Sequence, residues 1–142
     1  MDLKRRRLFT GAFSYTSIYN VLGEKLMAKV FSEKVILVEG RSDKLKLLTI
    51  LAEATEIVCT NGTISNVKLE EILSPLEELP IYAFLDSDKS GEQIRSVVRK
   101  VYPEAIHLYT NPVYGEVANT PLDVLASILQ RAKIKVKKEF LS

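Results

Sequence analysis

Four short apolar runs, each closed by a polar or glycine-bearing turn, set the rhythm of the chain between residues 35 and 109. Val35-Ile36-Leu37-Val38 is rich in β-branched residues and stops at Glu39-Gly40, the pattern of a strand buried on both faces. Ile57-Val58-Cys59-Thr60 repeats it and ends at the turn pair Asn61-Gly62. Ile81-Tyr82-Ala83-Phe84-Leu85 is the third run, and Ala105-Ile106-His107-Leu108-Tyr109 the fourth, followed by Thr110-Asn111-Pro112. Helical spacing fills the intervals. Leu45, Leu48 and Leu51/Ala52 predict a first helix with Ser42 as its cap, and Leu69, Ile72, Leu73 and Leu76 a second whose last turn Pro75 disturbs. Ile94, Val97, Val98 and Val101 form the cleanest stripe, behind Gly91 and stopped by Pro103. A last helix is predicted from Thr120-Pro121, read as cap and first helical position, to about Ala132.

Strand and helix in strict alternation predict an α/β fold, a four-stranded mostly parallel sheet with helices on both faces and a further C-terminal helix. In such sheets ligands bind beyond the carboxyl ends of the strands. That rule selects Glu39-Gly40, Asn61-Gly62, Asp86 to Asp88 and Thr110-Asn111.

The first 26 residues break the rhythm. They open with Lys4-Arg5-Arg6-Arg7 and then mix apolar residues with Thr10, Ser14, Thr16, Ser17 and Asn20, so no clean signal-peptide core forms. They read as a disordered extension or a misassigned start, with Met27 as the alternative first residue; an arm that binds nucleic acid through Arg5, Arg6 and Arg7 is the other reading. The single domain is then 27–142, with its core at 34–110 and a helical extension at 111–142. A net charge of +2 hides an uneven distribution. Residues 35–132 hold nine Lys/Arg against fourteen Asp/Glu, whereas the last ten residues hold four against one. Lys133, Lys135, Lys137 and Lys138 can follow a phosphate backbone, although their alternation with Ile134 and Val136 also fits an edge strand. A single cysteine, Cys59, excludes an internal disulfide and points to a reducing, cytoplasmic setting. No stretch approaches the ~18 apolar residues of a membrane span.

Asp86-Ser87-Asp88 carries the clearest chemistry. Residues i and i+2 of an extended segment point the same way, so the two carboxylates can share one cation. Hard oxygen ligands favour Mg²⁺, with Mn²⁺ as an alternative, and Glu39 can join from the neighbouring strand. Without a cation the three would repel and hold protons more tightly. An EF-hand fits Asp86-x-Asp88-x-Ser90-Gly91 but fails at its twelfth position, the apolar Val97. No phosphate-binding P-loop, dinucleotide-binding glycine motif or serine-hydrolase elbow is present. The single histidine, His107, and Cys59 lie inside strands and read as packing residues.

Val38-Glu39-Gly40-Arg41-Ser42-Asp43, followed by Leu85-Asp86-Ser87-Asp88-Lys89-Ser90-Gly91-Glu92, resembles the paired motifs of the Toprim domain. Topoisomerases, bacterial primases and certain nucleases and recombination proteins share that domain. Gly91-Glu92-x-Ile94-Arg95 and Thr60-Asn61-Gly62 are most similar to the Toprim ribonuclease that matures 5S ribosomal RNA. The stretch from Cys59 to Ser65, with His107-Leu108-Tyr109, is also similar to small stand-alone bacterial Toprim proteins.

The resemblance implies Glu39 as general acid/base, Asp86 and Asp88 as the Mg²⁺ pair, and Asp43 as the second acid of the nuclease branch. It implies phosphodiester chemistry on nucleic acid, RNA before DNA, as in a ribosomal-RNA-maturation nuclease. Gly40, Arg41, Asn61, Gly62, Gly91 and Arg95 are the expected phosphate or nucleic-acid contacts. A single domain lacks a topoisomerase's nucleophilic tyrosine and a primase's further modules. The alternatives are a non-catalytic module that binds Mg²⁺ with a nucleotide or RNA inside a processing complex, beside a protein partner, and a small-molecule phosphotransferase.

Overall fold

Strand β1 (Lys34–Val38) lies in the interior of the sheet, and its four apolar residues have no exposed surface. The computed structural model describes residues 32–141, so the expectations for residues 1–26 lie outside the described residues. Helix α1 (Arg41–Ile50) leads to β2 (Thr55–Cys59), and α2 (Asn66–Leu73) with a 3-10 turn at Ser74–Leu76 leads to β3 (Ile81–Phe84). Helix α3 (Lys89–Val101) precedes β4 (Ile106–Leu108), and α4 (Leu122–Arg131) completes the layers. The strands are ordered β2-β1-β3-β4 and all pair in parallel.

This order makes the β1–β3 boundary the topological switch point, because the chain leaves β1 toward β2 and returns on its other side. A crevice at the carboxyl ends of the strands is expected there. Glu39 follows β1 and Asp86 follows β3, so the acids flank that crevice.

Alternation along the strands divides the core. Ile36, Val38, Tyr82 and Phe84 pack with Leu47 and Ile50 of α1 and with Leu125 and Leu129 of α4. Val35, Leu37, Ile81, Ala83 and Leu85 pack on the opposite face with Leu69 and Leu73 of α2 and with Ile94 and Val98 of α3. Each buried Val, Leu, Ile or Phe among them contributes about 1.5–3 kcal/mol by leaving water.

Three expectations about the helices are corrected. The inward stripe of α1 is Asp43, Leu47 and Ile50, while Leu45 and Leu48 are 52% and 46% exposed. Leucines occur on several sides of this helix, so spacing alone does not select the buried one. Its cap is Gly40, whose N–H donates to Asp43 Oδ2 at 3.0 Å, and not Ser42. At the start of α4 the Thr120 hydroxyl does not cap the helix; it donates to the Glu116 carbonyl at 2.9 Å and lies 2.7 Å from Thr110 Oγ1. Because the Thr120 proton goes to Glu116, Thr110 is the donor to Thr120.

Pro75 ends α2 as expected, in the 3-10 turn. The lysine-rich tail adds no strand to the sheet. Val136 forms one antiparallel bridge with Leu51, Ala52 N–H donates to the Lys135 carbonyl, and Ile134 is buried. Among the described residues no helix is long and apolar enough to cross a membrane.

Candidate metal centre

The carboxylates converge because β1 and β3 are neighbours and both end at the same level, with Val35 opposite Ile81 and Leu37 opposite Ala83. Glu39, Asp86 and Asp88 each place one oxygen so that all three lie within 4.8 Å of one another. Their environments differ. Asp86 is 8% exposed, and its Oδ1 accepts the Val117 N–H at 2.8 Å. Asp88 is exposed and caps α3, with Oδ1 accepting the Gly91 N–H at 2.7 Å. Glu39 is half-buried, and its Oε2 accepts the Ser90 hydroxyl at 3.4 Å. Its other oxygen, Oε1, is buried without a hydrogen-bond partner.

The electrostatics follow from burial and like charge. Asp86 is pushed up to about 6, first by loss of water and then by Asp43, Glu39 and Asp88, against the opposing Val117 hydrogen bond. Glu39 is raised by burial first and by the Asp88 charge second. A divalent cation fits this set. The donors are all hard oxygens, they repel one another when bare, and the orphaned Glu39 Oε1 is the kind of buried polar atom that normally has a partner.

The other expected residues take varied places. Asp43 is 5% exposed, and its carboxylate accepts N–H groups from Gly40 and from Ala118. It braces the start of α1 and lies outside the group of three. The Gly40 N–H is engaged in that brace. Arg41 is exposed at the first position of α1. Asn61 is exposed with φ 59°, and Gly62 follows with φ 102°, so the turn after β2 uses two left-handed residues, one of them glycine. The Asn61 N–H donates to the Glu39 carbonyl at 2.7 Å, which ties this turn to the backbone of the acid.

Two expected phosphate contacts are corrected. Gly91 is buried inside the first turn of α3, and its N–H is already held by Asp88. Arg95 is 1% exposed, not on a solvated helix surface. Its guanidinium donates to the carbonyls of Leu108 at 2.6 Å, Leu85 at 3.0 Å and Ala83 at 3.3 Å, and it lies 3.0 Å from His107 Nδ1. It ties the ends of β3 and β4 together behind Asp86.

Sequence reasoning missed the loop between β4 and α4. Ser87 N–H donates to the Gly115 carbonyl at 2.7 Å, Lys46 Nζ to the Ala118 carbonyl at 2.7 Å, and Val117 N–H to Asp86. These partners are mostly backbone groups, which leave no side-chain signature. Ser90 could have been found, since it sits two residues past Asp88 in the first turn of α3.

No family model matches the sequence. The chain is 40% identical over 134 residues to the uncharacterized protein YusF of Bacillus subtilis (strain 168), covering 94% of this chain and 92% of that one. Its fold is similar to the structure of a small TOPRIM domain protein from Bacillus stearothermophilus, with a TM-score of 0.75 and 49% identity over 78% of this chain and 94% of that chain. With 94% of that chain matched at 49% identity, and with the acidic triad at the β1–β3 switch point, the chain belongs to the small TOPRIM-domain proteins.

Proposed function

We propose that this protein carries out Mg²⁺-dependent phosphodiester hydrolysis on nucleic acid, with RNA as the preferred substrate. The observation that carries the reading is the convergence of Glu39, Asp86 and Asp88 oxygens within 4.8 Å beside a buried, unpartnered Glu39 Oε1. Asp86 and Asp88 are the residues that hold the cation. A hard divalent cation bound there supplies charge stabilisation on a phosphate oxygen.

Glu39 is the proton carrier. Burial raises its proton affinity, and a carboxyl group held beside the reacting phosphate can both take and give a proton. The Ser90 hydroxyl on Oε2 orients that carboxyl group. Asp43 acts through position, fixing Gly40 and hence the direction in which the chain leaves Glu39. Arg41, with the Asn61 side chain and the Gly62 turn, lies on the exposed rim where a phosphate backbone would run. The RNA preference rests on the similarity of the Thr60-Asn61-Gly62 and Gly91-to-Arg95 stretches to the ribosomal-RNA-maturation ribonuclease.

The test is a panel of structured and single-stranded RNA and DNA incubated across Mg²⁺ and Mn²⁺ titrations. Cleavage by the wild type that is lost in Asp86→Asn, Asp88→Asn and Glu39→Gln, with melting intact, supports the reading. Absence of cleavage under conditions where Mn²⁺ and RNA both bind overturns it in favour of a non-catalytic binding module.

A further inference from the structure

Tyr109 follows β4 at the functional end of the sheet and is 52% exposed. The ring is nevertheless held firmly. The Arg95 guanidinium carbon lies 3.9 Å from its centroid, and Arg99 donates to its hydroxyl at 3.3 Å. Its exposed part walls a groove of about 420 Å³ against α4. Val124 and Ile128, one helical turn apart and half-buried, supply apolar surface, and the lining also includes Asn111, Ser127 and Asp123. Arg131 also lines it.

We infer that this groove is a base-binding subsite, in which one unpaired base of a single-stranded nucleic acid lies between Tyr109 and the Val124–Ile128 surface of α4. The inference rests on the reading of the acidic triad as a phosphodiester site and names the form of substrate that site would take. A ligand that suits this lining has an apolar face for Tyr109, Val124 and Ile128 and polar edge groups for Asn111, Ser127 and Asp123. A nucleobase meets both conditions. Stacking on aromatic rings is the general device for holding single strands, and cationic arginines strengthen it. Arg131 brings positive charge to the groove, in a middle segment where acids outnumber bases fourteen to nine, whereas Arg99 beside the ring is ion-paired with Glu92 at 2.8 Å. Arg131 is placed to offset phosphate charge.

The groove is also joined to the acidic triad. The Thr110 carbonyl, next to Tyr109, accepts the Ser87 hydroxyl at 3.0 Å, and Ser87 separates Asp86 from Asp88. Because β4 neighbours β3, Tyr109 and Asp86 leave adjacent strands at the same end of the sheet. A strand whose phosphate lies at the triad can therefore place an adjacent base at Tyr109.

The test uses the full chain with an eight-nucleotide RNA carrying one 2-aminopurine, in EDTA so that binding is read without metal or turnover. Wild type and Tyr109→Phe should quench the probe and bind it at least about tenfold tighter than the same strand in a duplex. Tyr109→Ala should lose about tenfold or more, the range expected for one base–aromatic stack. Ser127→Glu, which puts a negative charge in the slot from the side of α4, should weaken binding similarly without removing the ring. Equal affinity of wild type and both variants, or no preference for the single strand, overturns the inference. Mn²⁺ binding measured on the same proteins keeps the two readings separate. Quenching without Mn²⁺ binding supports the subsite and sinks the metal reading, whereas Mn²⁺ binding without quenching sinks the subsite alone.

Discussion

A β-carbon on Gly91 would fall 2.9 Å from the carbonyl carbon of Asp86, and closer still to its oxygen. The first turn of α3 therefore rests directly on the backbone of the residue that heads the metal centre. The same turn is held by the Asp88 cap. Helix position and carboxylate position are thus one geometric fact, and glycine is the residue that permits it.

Gly91→Ala follows as the first prediction. The clash is with backbone, so α3 must shift or Asp86 must move. Overpacking of this kind costs about 1–3 kcal/mol, and rigid backbone puts this case at the upper end. Chemical denaturation should show the loss, and Mn²⁺ affinity should fall with it. A control, Gly62→Ala, has open space around its β-carbon and strains only a left-handed turn, so it should leave Mn²⁺ affinity unchanged.

The second prediction concerns pH. Asp86 holds its proton up to about pH 6 in the folded chain, against an ordinary value of 3.8. Between those values the folded state binds more protons than the unfolded state, so stability falls as pH rises. The destabilisation is fully present above the folded value and reaches on the order of 3 kcal/mol. Glu39 shifts in the same direction. Asp86→Asn keeps an oxygen for the Val117 N–H and removes the charge. In EDTA it should melt several degrees above wild type at pH 8, with the gap closing toward pH 4. A constant gap across that range would contradict the assignment.

How much of this was legible in the chain differs from residue to residue. Val35 to Val38 announced a buried strand because apolar residues, three of the four β-branched, run without interruption. Glu39, Asp86 and Asp88 were legible because the rule about strand ends needs only the order of elements. Leu45 and Leu48 misled because α1 carries leucines on both its wet and dry sides. Arg95 misled for a different reason. An arginine on an amphipathic helix normally faces water, and only the three-dimensional arrangement shows carbonyls of Ala83, Leu85 and Leu108 collected in front of it. Val117 left no trace at all, since it reaches Asp86 through a backbone N–H from 31 residues away.

Arg95 supports a third prediction. Its buried guanidinium serves three carbonyls, and bonds to a charged donor contribute about 1.5–3 kcal/mol each. Arg95→Leu should therefore cost at least ~3 kcal/mol. Arg95→Lys should recover only part, because one ammonium cannot reproduce the planar fork. The single histidine provides an independent readout. His107 is held below its ordinary value by burial first and by the Arg95 charge second. In Arg95→Leu its titration, followed by NMR, should move upward; an unmoved midpoint would place Arg95 elsewhere in solution.

The last prediction is that divalent metal reverses the pH effect. Bare carboxylates repel at pH 8, and a cation that binds only the folded chain stabilises it by mass action, about 2.7 kcal/mol at a hundredfold excess over Kd. Adding Mg²⁺ or Mn²⁺ should therefore raise the melting temperature of wild type by several degrees at pH 8. The increment should shrink toward pH 5, where Asp86, with its value near 6, competes for a proton. Asp86→Asn and Asp88→Asn should show little response at either pH. Glu39→Gln separates two contributions: it keeps the Ser90 hydroxyl's acceptor and removes one charge, so metal stabilisation should weaken without vanishing. Equal metal-induced shifts in wild type and Asp88→Asn would place the cation away from this cluster, because Asp88 is the most exposed of the three carboxylates and an asparagine there still offers an oxygen to cap α3.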